Sequence, residues 1–227
     1  MDNSPILRVW DIWVRLFHWS LAATVLFLLF SGETGVGFYD WHRKIGEFVL
    51  MLLAFRLCWG VFGSSNARLW PLIKSPMSAF QHLKTLVSGQ AHPERGHNAA
   101  GGWAVLALLL LCSVQALTGL FIADEDELIE GAFYGTFSSD TNDWLYSVHH
   151  TNAELLQVLV AVHVLMVFLY LLRGGQNLIK PMFSGRMRWP AASTTPEVRF
   201  ASAWLGAALL ALCYLLLAYI LKWPPIF

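Results

Sequence analysis

The sequence predicts an all-α integral membrane protein, and three observations carry that prediction. Of its 227 residues, 56% are hydrophobic and only 13% charged, and mean hydropathy is +0.53, a composition outside the range of ordinary soluble domains. The apolar residues gather into five windows, about 11–31, 41–62, 98–122, 145–172 and 200–221, each near or above the ~20 residues that cross hydrocarbon. The stretches between them leave no room for a soluble domain, and the chain has no internal repeat or low-complexity tract.

The first window carries Asp11 and Arg15 in its opening turns and no small-residue cleavage site, so it is expected to stay in the mature protein and not to act as a removable signal. The second opens on WHRKIG. Between the second and third, Phe80, Leu83, Leu86 and Val87 recur at helical spacing behind Pro71 and Pro76, which predicts a short amphipathic helix over 78–87 lying on the membrane surface. The loop 123–144 holds seven carboxylates (Asp124, Glu125, Asp126, Glu127, Glu130, Asp140, Asp143) and no basic residue. Arg8, Arg15, Arg68, Lys74, Lys84, Arg95, Arg173, Lys180, Arg186, Arg188 and Arg199 fall at the other ends of the windows. Because basic residues stay cytoplasmic, the N-terminus is expected inside and the acidic loop and C-terminus outside. Arg43 and Lys44, at the outer start of the second window, are exceptions.

Three cysteines, Cys58, Cys112 and Cys213, sit one each in three apolar windows, so neither a disulfide framework nor a thiolate metal site is expected. There is no C-x-x-C-H for covalent haem attachment.

Histidine is the informative residue type. His149 and His163 are fourteen residues apart in one apolar window, an interval that returns to within about 40° of the same helix face and spans about 21 Å. Ionisable residues at membrane depth are costly and mark function. His18 lies near the cytoplasmic end of the first window and His42 at the outer start of the second. Depth therefore matches His42 with His149 and His18 with His163, and two rings facing each other across a bundle suit a bis-imidazole haem. His150 lies on a different helix face from His163 and is the weaker ligand candidate, available to a propionate, a quinone or a loop. His97 is expected at the mouth of the third helix as a partner for a propionate or quinone, and His82 and His92 as surface residues. Arg15, Arg43, Lys44 and Arg56 are open to two readings, as partners of haem propionates or as snorkelling head-group contacts. Glu47, one turn beyond Arg43, is placed to pair with it or to carry a proton beside a quinone. Gly46, Gly60, Gly101, Gly102 and Gly119 allow close approach of a backbone or a flat macrocycle.

Six segments of the chain, VWDIWVRLFHW, WHRKIG, FRLCWGVFGSSNARL, GHNAAGGWAVLALLLLCSVQALTGLF, VHHTNAELLQVLVAVHV and LIKPMFSGR, together resemble the bacterial cytochrome b561 family, which includes the b-type cytochrome subunits of nickel–iron hydrogenases. The resemblance covers about residues 8–188. It implies a four-helix haem-binding transmembrane bundle with two non-covalent haems b, each held by two histidines, which on matching positions are His18, His42, His149 and His163. It departs from the family pattern at His150, a position commonly acidic in relatives, and at Ala99, where proline is usual. The domain expectation is a di-haem unit over 1–190 and an additional C-terminal transmembrane helix over 191–227, which contains no histidine and is expected as packing or partner surface.

Transmembrane electron transfer in the bacterial inner membrane is the function the resemblance implies, between quinone or quinol and a periplasmic redox partner. A c-type cytochrome docking at the acidic loop is the expected partner, and no nucleic acid is expected. The family also admits a hydrogenase or dehydrogenase subunit and a superoxide:quinone oxidoreductase. Two quinone positions stand open, near His97 and Arg15 or near Arg43 and Glu47. A transporter or channel reading needs broken helices or repeat symmetry, which the sequence lacks. A non-catalytic anchor is distinguished by the absence of haem reduction by quinol.

Overall fold

The computed structural model describes residues 5–34, 38–88, 96–124, 129–173, 176–189 and 197–223. Its helices in chain order are α1 (Ile12–Thr34), α2 (Tyr39–Phe62), α3 (Pro76–Val87), α4 (Ala99–Thr118), α5 (Ser139–Leu172), α6 (Ile179–Ser184) and α7 (Ala203–Ile220). Five of them, α1, α2, α4, α5 and α7, are long and apolar enough to cross a membrane. Leu26, Phe30, Leu110, Leu165, Phe168 and Leu215 are exposed along these helices. In water such residues would form a large apolar patch; against hydrocarbon they are the ordinary solvent-facing surface. The chain is an all-α, multi-pass membrane protein.

Two boundaries differ from expectation. α5 starts at Ser139, about six residues before the apolar window, because Ser138 begins the helix: its carbonyl accepts from the Asn142 N–H at 3.0 Å and its hydroxyl meets Thr141 Oγ1 at 3.1 Å. Asp140 in the first turn suits the positive end of the helix dipole. α4 stops at Thr118, where the last turn tightens through Leu120 N–H to Leu117 O and Phe121 N–H to Thr118 O. The acidic stretch that follows is a two-residue ladder, β2 (Ala123–Asp124) against β3 (Ile129–Glu130), in a set that begins with β1 (Ile6–Arg8). Glu125, Asp126 and Glu127 of that stretch, like His92 and Arg95, lie outside the described residues.

The chain divides into two compact units, and all five long helices contribute to both. The first contains Met1–His18, Arg56–Ala107 and Ala161–Ala208. There β1 pairs antiparallel with β4 (Arg186–Arg188), in the register Ile6↔Arg188 to Arg8↔Arg186. Gly185 makes this junction possible: it takes φ +74° after α6, and a side chain on it would meet the Trp10 carbonyl at 2.7 Å. Its own carbonyl accepts from Val9 and Trp10 N–H. Asp11 caps α1 by accepting from the Val14 N–H at 2.8 Å, while its other oxygen accepts from Trp59 Nε1 at 3.2 Å. The amphipathic segment is α3, with Pro76 in its first turn and Phe80 and Leu83 exposed. Trp13 Nε1 donates to the Ala203 carbonyl at 3.0 Å, tying the start of α7 to α1.

The second unit contains Trp19–Phe55, Leu108–Val160 and Leu209–Phe227. Leu52, Leu53, Leu109, Cys112, Leu120 and Leu156 are buried in it. Asn152, also buried, donates to the Leu111 carbonyl at 2.9 Å and to Gln115 Oε1 at 2.6 Å, which satisfies the polar group it brings to membrane depth.

Candidate functional site

In the first unit, α1 supplies His18 and α5 supplies His163, and their ring centroids stand 6.5 Å apart at an interplanar angle of 54°. Imidazole–metal bonds are about 2 Å long, so two imidazoles on opposite sides of one iron put their centroids roughly 6 Å apart. The 6.5 Å separation of the two rings is one at which both would reach a single iron between them. His97, two residues before α4, has its ring 4.9 Å from Trp10 and its backbone carbonyl accepting from Lys74 Nζ at 3.1 Å. Among the described residues, the Nδ1 atom of His97 is buried with no hydrogen-bond partner. Burial, then the fields of Arg56, His18, Lys74 and His163, pushes the His97 imidazole down to about 3, so the ring is neutral at ordinary pH.

Arg56 is the best-buried guanidinium among the candidates, 3% exposed. It donates to the Ala67 carbonyl at 2.8 Å and lies over the Phe17 ring. Arg15 instead donates to the backbone carbonyls of Asp11 and Phe183. His82, expected on the surface, is drawn inward: its Nε2 lies 2.6 Å from the Tyr170 hydroxyl, which also accepts from Asn98 Nδ2 at 2.7 Å. Tyr170 is seven residues after His163, on the same face of α5. That contact corrects the surface assignment of His82, and the reason is tertiary: the bond to Tyr170 joins α3 to α5.

In the second unit, His42 of α2 and His149 of α5 line one cavity of about 310 Å³, within the ~300–1,000 Å³ range of cofactor pockets. Each ring is oriented by a helix hydroxyl. Ser31 Oγ donates to the Leu28 carbonyl and lies 2.8 Å from His42 Nδ1; Thr118 Oγ1 donates to the Val114 carbonyl and lies 3.0 Å from His149 Nδ1. A hydroxyl has one proton. With that proton on a carbonyl, Ser31 and Thr118 accept from the histidine Nδ1–H, and Nε2 is left with its lone pair available to a metal. Fixing the tautomer through the other nitrogen is how proteins orient metal-binding imidazoles. Gly119 permits the approach, since a side chain there would meet His149 Cε1 at 3.1 Å.

His150 reaches the same cavity, its ring 4.2 Å from Tyr146 and 6.0 Å from His149. Arg43 and Glu47 also line it and form the expected pair, Nε to Oε1 at 3.3 Å; Arg43 Nη1 further donates to the Glu130 carbonyl at 3.1 Å. Ser31 and Thr118, which no pattern in the sequence marks, complete the site. Hydroxyls in apolar helices ordinarily bond only to their own preceding turn, so nothing local distinguishes these two.

Among the described residues, no group of three or more His, Cys, Asp or Glu side chains converges on one point. A bare metal ion needs three or four such protein ligands, whereas iron already held by a macrocycle needs two. Paired imidazoles on apolar helices, each pair confined to one unit, are the donor set that iron held by a macrocycle would need. A family model described as prokaryotic cytochrome b561 matches residues 9–185, and the chain belongs to that family. It is accordingly a haem b membrane cytochrome of electron transport, working with the quinone pool and a redox partner. Comparison with curated proteins returned no match.

Proposed function

We propose that this chain carries electrons across the bacterial inner membrane between membrane quinol and a periplasmic redox partner, with one haem b held by His18 and His163 and a second by His42 and His149. The observation that carries this reading is the sorting of the four histidines: the first pair stands 6.5 Å apart in one unit and the second shares one cavity in the other. Haem b supplies one-electron chemistry over a potential range that ligands, hydrogen bonds and burial tune. The protein supplies the rest. His18, His42, His149 and His163 offer neutral nitrogens, and Ser31 and Thr118 hold two of those rings in the tautomer that presents Nε2. Arg56 and Arg15, in the unit of the first pair, and Arg43, at the second, each of which already donates to a backbone carbonyl, would hold propionate carboxylates.

Two histidines on α5 separated by fourteen residues serve the two sites from one helix, which supports conduction along the membrane normal. The quinone position favoured here is beside the Arg43–Glu47 pair, at the wall of the cavity that the second haem would occupy; the region of His97 is the competing position. Residues 1–190 form the di-haem domain in this reading, and 191–227 add the fifth crossing, with the N-terminus cytoplasmic and the C-terminus periplasmic. The partner proposed for the acidic side is a basic c-type cytochrome.

A haem count with single substitutions tests the assignment. Purified protein should carry two haems b per chain, and His163→Ala and His149→Ala should each lower the count to one, removing different components of the absorption spectrum. A colourless preparation, or a His163→Ala protein with both components intact, overturns it.

A further inference from the structure

The buried carboxylate of Glu47 is held from two sides. Its Oε1 pairs with Arg43 Nε at 3.3 Å, with the Glu47 side chain only 7% exposed, and its Oε2 accepts from Trp223 Nε1 at 2.6 Å, short for an N–H donor. Glu47 and Arg43 share their cavity with His42 and His149. Trp223 follows α7, outside the stretch 9–185 that the family model matches, so this clamp is not a property the family resemblance carries.

The turn that delivers Trp223 is specific. The Trp223 N–H donates to the Ala218 carbonyl at 3.0 Å, the 6→1 bond of a Schellman cap. Lys222 occupies the left-handed position of that cap at φ 51°, a place normally filled by glycine or asparagine. The Tyr214 ring lies 5.7 Å from the indole. A strained backbone position that aims one side chain at a buried charge is the kind of outlier from which function can be argued.

We infer that Trp223 is a positioning residue of the His42–His149 site: by donating to Glu47 Oε2 it fixes the carboxylate, and through the Glu47–Arg43 pair it fixes the charge pattern on the cavity wall. The inference rests on reading His42 and His149 as one haem site. Without the indole donor, one oxygen of a buried carboxylate loses its partner, and the Glu47–Arg43 pair rearranges. The fifth helix then tunes the redox site although it contributes no ligand.

The test uses the full chain purified with its haems, and a second readout that does not depend on them. Removing a negative charge beside a haem favours the added electron, so Glu47→Gln should raise the midpoint potential of one of the two redox waves. Trp223→Phe, which keeps the ring, should shift that same wave alone and add no further shift in the Glu47→Gln background; Trp223→His, which keeps a ring N–H, should restore it towards wild type. In ¹⁵N-tryptophan-labelled protein, the indole signal lost in Trp223→Phe should move upfield in Glu47→Gln as its acceptor loses charge. The inference is overturned if Trp223→Phe moves neither wave, shifts equally in both backgrounds, or moves both waves together, or if the indole signal ignores Glu47→Gln. A wild-type protein with a single haem wave counts instead against the His42–His149 reading, while the indole signal still reports whether the contact exists.

Discussion

At the scale of single residues, the hydroxyls of Ser31 and Thr118 decide how the His42 and His149 rings are held. Where Ser31 and Thr118 give their one proton to a helix carbonyl, each accepts from the histidine Nδ1–H, so removing either hydroxyl takes one partner from that ring. Partners of this kind are worth about 10–100-fold in metal affinity. Ser31→Ala and Thr118→Val should therefore weaken retention of one haem by that order, read as haem loss to a scavenger, and leave the His18–His163 haem in place. Equal loss of both haems contradicts the assignment. His97 supports a pH prediction. Its folded-state value, pushed down to about 3, lies below the ~6.5 of a free histidine, so between these values the unfolded chain binds the extra proton and stability falls as pH falls. His97→Gln should flatten the pH dependence of thermal unfolding between pH 4 and 6.5 by about one proton; an unchanged slope excludes a buried neutral His97. The four paired histidines were legible in the sequence because a fourteen-residue interval and matched depths are periodic features of single helices. Arg43 with Glu47 was legible as an i,i+4 pair. His82 with Tyr170, eighty-eight residues apart, was not, because only the packing of α3 against α5 brings them together.

At the scale of elements, the five crossings followed from hydropathy, while their ends depended on polar capping that a hydropathy window averages away. α5 gained its first turn from Ser138 and Thr141, residues that read as loop until the cap is formed. The strand pair β1–β4 is three residues long on each side, too short for any alternation to register, and it joins segments about 180 residues apart because Gly185 admits the Trp10 carbonyl. The fifth helix was expected as packing surface, and its attachment is specific: a side chain on Gly206 would stand 2.1 Å from Trp13 Nε1, the same nitrogen that donates to Ala203. Overpacking of this kind typically costs about 1–3 kcal/mol. Gly206→Leu should lower thermal stability by that amount and break the Trp13–Ala203 bond, seen as a shift of the Trp13 indole signal. Unchanged stability with an unmoved indole signal contradicts close packing at α7.

At the scale of the whole molecule, net charge is zero, so any steering of a partner must come from how charge is distributed. The stretch 123–144 holds seven carboxylates and no cation, and Glu130, Asp140 and Asp143, those whose side chains are described, are exposed. Folding has reorganised the stretch by taking Asp140 and Asp143 into the first turns of α5, where their charge suits the positive end of the helix dipole. A basic redox protein approaching this side would be drawn by charges that act over about 8 Å at physiological salt, which raises the rate of encounter more than it tightens the complex. Neutralising Asp124, Glu125, Asp126 and Glu127 together should lower the second-order rate of electron transfer to a basic cytochrome c by roughly 10-fold at low ionic strength, with wild type and variant converging as salt screens the field. Haem content and potentials should be unchanged, because these residues belong to neither histidine pair. If the variant keeps both the rate and its salt dependence, the acidic stretch serves topology and solubility, and the docking surface lies elsewhere on the molecule.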